Sequence, residues 1–365
     1  MFVEQIPKER RYITEMRIRY LTIDEALTQN TFQFVDVRSP KEFQEASIPG
    51  AINIPLLNNQ ERELIGTIYC KISPEEARQT GLNLVTPKIP NLIASISSII
   101  KIHESKKIIL YCWRGGLRSQ SMAKLCYENG FEIKVLKGGY KAYRRHVHSF
   151  WDKPFQQKVA VLHGLTGVGK TQLLGKLAKI GAATIDLEGL VNNRGSVFGQ
   201  VHGGVQPSQK NFEAFAYNIC NKLDYDDIVL VECENKRIGV VHIPQYLYIA
   251  MISGYRIHLY ADLDTRIKRI IDDYGYVDLS LLKEKIIFLS HYLGKKRVSQ
   301  IIELLEQRQL YEVARILLVE YYDPLYGYSS AFDKQYDLSV NCSNIDMATN
   351  TIYEFIKQKK KEVMG

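Results

Sequence analysis

Short apolar runs alternate with longer stretches in which apolar residues recur every three or four positions, and this rhythm occurs twice along the chain. In the first half, 32–37 (FQFVDV), 108–111 (IILY) and 133–136 (IKVL) read as strands, being brief and rich in β-branched or aromatic residues. Residues 91–102 and 119–129 carry helical spacing. Strands alternating with helices predict a largely parallel sheet covered on both faces. The pattern breaks at 150–157, where Trp151-Asp152-Lys153-Pro154 reads as a connector. A second α/β segment opens with the run 158–163 and continues through 227–231 and 256–260. From 279 onward the spacing is helical, at 281–293 and 299–319 above all. The expected architecture is therefore α/β twice over. Residues 1–148 form one domain, 149–157 a connector, 158–278 a second domain, and 279–365 a helical part packed on it.

Composition removes several classes. With 45% hydrophobic and 24% charged residues in 365, the chain is neither a disordered tail, a collagen nor a coiled coil. No apolar run approaches the roughly 18–20 residues that span a bilayer, so no membrane partner is expected. Glu4, Lys8, Glu9, Arg10 and Arg11 stand where a secretory leader needs an apolar core. Six cysteines without a CxxC pair form no disulfide framework or zinc pattern, and the natural expectation is a cytoplasmic protein. Lysine and arginine exceed aspartate and glutamate by 48 − 40 = 8, which suits a polyanionic partner. The basic residues cluster at Lys137, Lys141, Arg144 and Arg145 with His146 and His148, at 295–297, and at 357–361.

Gly164-Leu165-Thr166-Gly167-Val168-Gly169-Lys170-Thr171 fits G-x-x-x-x-G-K-[ST] between an apolar strand and a helical stretch. Glycines at 164, 167 and 169 let backbone N–H groups turn inward around phosphate oxygens at a helix N-terminus. Lys170 is expected to reach a terminal phosphate and the Thr171 hydroxyl to ligate Mg²⁺. The acidic partner follows the strand at 228–231: Glu232 is the better placed candidate and Glu234 the alternative. The motif points to a diphosphate or triphosphate ligand and leaves open whether it is hydrolysed.

Ile108-Ile109-Leu110-Tyr111-Cys112-Trp113-Arg114-Gly115-Gly116-Leu117-Arg118-Ser119 is the other informative segment. A strand delivers Cys112 to a loop of two glycines and two arginines, and a helix follows. Loop N–H groups, the helix N-terminus and guanidinium charge are each expected to favour thiolate, and the same cup would hold an oxyanion. Cys70, Cys126, Cys220, Cys233 and Cys342 lack such surroundings and read as packing residues. Two chemistries remain open at this loop. Five residues separate Cys112 from Arg118, the spacing of cysteine-dependent phosphatases, and the loop also looks like the sulfur-transfer loop of rhodaneses. Val35-Asp36-Val37-Arg38-Ser39-Pro40-Lys41-Glu42-Phe43, then Ile48-Pro49-Gly50-Ala51-Ile52-Asn53-Ile54-Pro55-Leu56, resembles the opening of a rhodanese domain, and Leu136-Lys137-Gly138-Gly139-Tyr140 resembles its strand and turn beside the active loop. In such a domain Asp36 and Arg38 are expected to organise the loop.

Rhodanese followed by P-loop, with the loop 112–119 and the stretches Asp186-Leu187-Glu188-Gly189-Leu190, Arg194-Gly195-Ser196, Gln206-Pro207-Ser208-Gln209 and Tyr321-Tyr322-Asp323-Pro324-Leu325-Tyr326, resembles the tRNA 2-selenouridine synthases over nearly the whole chain. Asn193 departs from the histidine expected there, and Cys233-Glu234-Asn235 from Asp-Glu-Ser. The resemblance implies a cytoplasmic transferase that exchanges sulfur for selenium at the wobble 2-thiouridine of tRNA. Geranyl diphosphate would alkylate the sulfur first, held by Gly164, Gly167, Gly169, Lys170 and Thr171. Selenium from selenophosphate would load onto Cys112, with Arg114 and Arg118 seating that anion. Arg194, Ser196, Gln206 and Gln209 are candidate contacts to RNA or diphosphate, and the segment 137–145 to the anticodon arm. The implied partners are the lysine, glutamate and glutamine tRNAs, with selenophosphate synthetase as the donor's source. Two alternatives stand beside this: a rhodanese-regulated, nucleotide-dependent kinase or NTPase acting on RNA, and a cysteine phosphatase. Turnover of ATP or GTP, or of a phosphoprotein, would mark them.

Overall fold

The computed structural model describes residues 18–29, 31–103, 105–192, 205–232 and 235–364. The chain divides into two compact units, Met1–His146 and Val147–Gly365.

In chain order the first unit contains β1 (Arg19–Leu21), α1 (Ile23–Thr28), β2 (Phe32–Asp36), α2 (Pro40–Glu45), β3 (Ile52–Asn53), α3 (Asn59–Lys71), α4 (Pro74–Val85), α5 (Ile89–Ile102), β4 (Lys107–Tyr111), α6 (Leu117–Glu128), β5 (Lys134–Leu136) and the start of α7 (Gly139–Trp151). The sheet order is β1-β5-β4-β2-β3, parallel at every pairing. Its strands are apolar because both faces are covered: Val35, Ile109, Leu110 and Val135 are fully buried, as are Ile96 and Met122 from the helices. Helices start where side chains satisfy their first free N–H groups. Thr22 with Glu25, Ser39 with Glu42 and Asn58 with Glu61 each form a capping box. The last turn of α7 takes in Phe150 and Trp151, which the sequence pattern places in a connector.

The second unit contains β6 (Lys158–His163), α8 (Lys170–Lys179), β7 (Thr184–Ile185), α9 (Leu187–Leu190), α10 (Gln209–Cys220), β8 (Ile228–Val231), the hairpin strands β9 (Arg237–Ile238) and β10 (Val241–His242), α11 (Gln245–Ile252), β11 (Tyr255–Tyr260) and α12 (Leu263–Tyr274). The helices α13 (Leu279–Phe288), α14 (Ser290–Leu293), α15 (Lys295–Glu306), α16 (Leu310–Leu317) and α17 (Asp323–Tyr326), strand β12 (Leu338–Asn341) and helix α18 (Ile345–Met364) follow. The order β12-β11-β6-β8-β7 is again all parallel, with β6 in the centre. The C-terminal part is thus not wholly helical: β12 pairs with β11 and supplies the fifth strand. Four residues carry too little periodicity to show themselves, and their partner lies some eighty positions upstream. A separate apolar cluster, with Ile267, Ile286, Leu289, Ile301, Leu305 and Leu318 buried, joins α12 to the helices that follow. Among the described residues no helix is long and apolar enough to cross a membrane.

Candidate functional site

Strand β4 delivers Cys112 into the loop 112–116, and α6 begins at Leu117. The start of α7 holds this loop in place. Tyr140 N–H donates to Cys112 O at 2.8 Å and Lys141 N–H to Trp113 O at 3.0 Å. So close an approach needs glycine at 139, where φ is +57° and a Cβ would lie 2.3 Å from Cys112 O and 2.5 Å from Gly115 N. Cys112 is only 4% exposed and belongs to the unit's apolar cluster. Its sulfur nevertheless meets polar groups, with Ser119 Oγ at 3.3 Å and Gly116 O at 3.9 Å. Ser119, itself fully buried, also donates to Gly116 O at 3.1 Å.

The two loop arginines behave differently. Arg118 makes a fork with Glu42, Nη1 to Oε2 at 2.6 Å and Nη2 to Oε1 at 3.1 Å. Burial opposes charge on Glu42, but the Arg118 pair, helped by Ser39 N–H and Arg62, outweighs it and holds this carboxyl below its ordinary value. The guanidinium that the sequence pattern assigns to an incoming anion is therefore committed to a carboxylate from α2. Arg114 is exposed and makes no hydrogen bond or ion pair among the described residues. Beneath the loop, Arg38 and Asp36 form a fully buried pair, Nε to Oδ1 at 3.0 Å and Nη2 to Oδ2 at 2.6 Å. Arg38 also donates to Ala46 O at 2.6 Å and lies 4.3 Å from the Tyr140 ring centre. Among the other cysteines, burial pushes the thiols of Cys126, Cys220 and Cys342 up to about 12. Cys70 is exposed on α3 rather than packed, and Cys233 lies outside the described residues.

In the second unit the loop 164–171 joins β6 to α8. Lys170 Nζ donates to Gly164 O at 2.5 Å and sits 5.9 Å from the Tyr326 ring centre. Thr171 Oγ1 donates to Glu232 Oε2 at 3.0 Å. Glu232, just past β8, is 1% exposed, and its Oε1 has no partner among the described residues. Burial, then the charges of Glu188 and Asp186, push its carboxyl up to about 9. Helix α12 clamps the loop from outside: Arg266 Nε donates to Thr166 O at 2.8 Å and Arg269 Nη1 to Val168 O at 2.8 Å. Arg266 also forks onto Asp323, with Nη1 3.0 Å from Oδ2 and Nη2 2.5 Å from Oδ1. Neither arginine nor Asp323 stood out as a site residue in the sequence. The available signal was the i, i+3 spacing of two arginines on a strongly amphipathic helix.

A cavity of about 820 Å³ starts at this loop. Its lining includes 165–172 with Glu188, Glu232, Asn235 and Arg237. The lining also takes in Ile271, Leu282, Ile286, Leu305, Val313 and Leu317 from the helices, beside the polar Arg269, Asp272 and Asp273. Gln206 and Gln209 do not line it. Their amides pin the hairpin instead: Val240 N–H donates to Gln206 Oε1 at 3.1 Å, and His242 N–H donates to Gln209 Oε1 at 2.8 Å. Two-residue strands leave backbone groups unpaired, and these side chains satisfy them. Arg194, Ser196 and Glu234 lie outside the described residues.

A cysteine loop on one parallel sheet and a G-x-x-x-x-G-K-T loop on another, carried by one chain, define a rhodanese–P-loop fusion. Family profiles agree, matching a rhodanese-like domain over residues 22–146 and a tRNA 2-selenouridine synthase AAA domain over residues 157–286. The tRNA 2-selenouridine synthase of Sulfurovum sp. (strain NBC37-1) is 34% identical over 336 residues, 83% of this chain and 90% of that protein. That of Hydrogenovibrio crunogenus is 33% identical over 336 residues, 83% and 91% of the two chains. Among solved structures, a rhodanese-related protein from Thermoplasma volcanium covers 35% of this chain and 92% of its own, at 20% identity and a TM-score of 0.22. The chain belongs to the tRNA 2-selenouridine synthase family.

Proposed function

We propose that this protein is a cytoplasmic transferase that converts wobble 2-thiouridine in tRNA to 2-selenouridine through an S-geranylated intermediate. The observation that carries this reading is the lining of the second unit's cavity. Its P-loop lining suits a diphosphate, and its apolar side chains from α12, α13, α15 and α16 suit a hydrocarbon tail better than a nucleotide. Geranyl diphosphate has both parts. In the first step the bond from geranyl C1 to the bridging oxygen breaks, C1 bonds to the thiocarbonyl sulfur, and diphosphate leaves with the electron pair. The N3 proton is lost to solvent. Lys170 and the loop N–H groups stabilise the departing charge in place, the preorganised role such cups serve best.

The buried, unpartnered Oε1 of Glu232 beside the Thr171 hydroxyl offers oxygen donors that fit a divalent cation. Thr171 and Glu232 would hold Mg²⁺, which supplies charge neutralisation for a diphosphate. In the second step water attacks the phosphorus of selenophosphate at the Cys112 loop, the P–Se bond breaks, orthophosphate leaves and hydrogen selenide is released there, with Arg114 exposed to meet the anion. A selenium nucleophile attacks C2, the C–Se bond forms, and the C–S bond breaks to release geranylthiol. The basic segment 137–145 would contact anticodon-arm phosphates of lysine, glutamate and glutamine tRNAs. Selenophosphate synthetase would supply the donor.

The test is mass spectrometry of wobble nucleosides from thiolated tRNA incubated with the purified protein. Geranyl diphosphate alone should yield the S-geranylated nucleoside, and selenophosphate added to it should yield 2-selenouridine. An absolute need for ATP or GTP, with no prenyl diphosphate consumed, would refute this reading and favour the kinase or NTPase.

A further inference from the structure

Trp113 is a large aromatic side chain left 39% exposed immediately after the nucleophile. Leaving indole surface in water forgoes hydrophobic stabilisation, and Trp is normally covered more fully. Its setting is rigid. Its carbonyl is tied to Lys141 N–H at 3.0 Å, the preceding carbonyl to Tyr140 N–H at 2.8 Å. One side of its ring rests on Tyr140, centroids 5.7 Å apart, and the Arg38 guanidinium lies 6.0 Å from the indole and 4.3 Å from Tyr140. The indole thus stands on a buried aromatic and cationic pile, with its remaining surface open. Arg114 on the loop, Lys137 just after β5, and Lys141 and Arg145 on α7 are exposed, and no acidic residue interrupts 137–148.

A rigid, half-open aromatic among cations is the arrangement that single-stranded RNA uses, bases stacking on the ring while phosphates meet the charges. We infer that Trp113 is the platform on which the target pyrimidine of a single-stranded RNA loop stacks when it is presented to Cys112. This inference rests on the RNA-modifying function proposed above.

The chain has two tryptophans, Trp113 and Trp151, and the second is buried with its Nε1–H bonded to Glu213 O. Fluorescence of the full chain is followed while an anticodon stem-loop oligonucleotide carrying wobble 2-thiouridine is added. Quenching is expected in the native sequence and should vanish in Trp113→Phe. With S-geranylated RNA as substrate, Trp113→Ala should lower kcat/KM for selenium incorporation roughly ten- to a hundredfold, mainly through KM. Trp113→Phe should recover most of it, and alkylation of Cys112 by iodoacetamide should be unchanged in both. Quenching that persists in Trp113→Phe, or native kcat/KM in Trp113→Ala, overturns the platform alone. If the native protein neither binds the oligonucleotide nor makes S-geranylated product, the RNA reading falls and the platform falls with it.

Discussion

Replacing Gly139 with alanine should disable the first unit's chemistry while leaving the second unit's intact. The added Cβ would lie 2.3 Å from Cys112 O, 2.5 Å from Gly115 N and 2.9 Å from Arg114 N. All three are backbone atoms, so no side chain can swing aside. An ordinary heavy-atom contact needs about 3.5 Å, so the loop has to retreat by roughly 1 Å. The residue also sits at φ +57°, which costs a non-glycine residue on the order of 1–3 kcal/mol. Overpacking adds about 1–3 kcal/mol. The loss of about 2–6 kcal/mol should lower the unfolding temperature of the first unit by on the order of 5–20 °C. A 1 Å displacement of a reacting group costs about a hundredfold in rate. Calorimetry gives the first quantity, and step-resolved mass spectrometry of wobble nucleosides gives the second. S-geranylation should continue at the native rate while selenium incorporation falls about a hundredfold. Native selenium incorporation with an unshifted first transition would show that α7 does not hold the loop as described.

Lys170→Ala should abolish prenyl transfer to thiolated tRNA and leave Cys112 alkylation by iodoacetamide unchanged; prenyl transfer within threefold of native would remove the P-loop from that step. Asp323→Asn frees one side of the Arg266 fork, and because Asp323 is partly exposed the cost should be about 1–3 kcal/mol, below that of a fully buried pair. Its KM for prenyl diphosphate should rise as the Thr166 clamp loosens, and an unchanged KM would detach α12 from loop positioning. Glu232, pushed up to about 9, keeps its proton in the folded chain where the unfolded chain has lost it. The resulting stability is complete below the ordinary glutamate value near 4.5 and fades as pH rises through about 9. Metal-free Glu232→Gln should therefore gain on the native protein in thermal unfolding between pH 5 and 9, and parallel pH profiles would contradict the buried, neutral carboxyl.

The interior strands were legible because each buries a short, β-branched or aromatic run: 32–37, 108–111 and 158–163 match β2, β4 and β6 to within a residue. Both strand-to-helix loops were legible too, since glycine spacing at 164, 167 and 169 and the cysteine–arginine pattern at 112–118 are local signals. What escaped was held by distant partners. β1 has three residues and pairs with Lys134–Leu136, over a hundred positions away. Arg118 looked like an anion ligand because nothing nearby in sequence shows Glu42 reaching it across 76 positions. Gln206 and Gln209 sat among polar residues that looked ligand-facing, yet a hairpin thirty-odd positions on donates to the Oε1 of each, while Gln206 Nε2 stays buried without a partner among the described residues. Composition supplies such side chains without saying which backbone group claims them.

The two loops are held in the same way, although they lie on different sheets. A trans peptide points its N–H and C=O in opposite directions, so fixing a carbonyl outward aims the next residue's N–H inward. At the cysteine loop, N–H groups of α7 take the carbonyls of Cys112 and Trp113, which sets the N–H groups of Trp113 and Arg114. At the P-loop, Arg266 and Arg269 take the carbonyls of Thr166 and Val168, which sets the N–H groups of Gly167 and Gly169. The glycines permit these cups, but the elements behind them give the cups their direction. The residues most worth substituting to separate one step from the other are therefore the clamps, Gly139 in one unit and Arg266 with Asp323 in the other. Changing a clamp turns the cup without removing any group that meets the ligand, so what is lost measures orientation rather than charge.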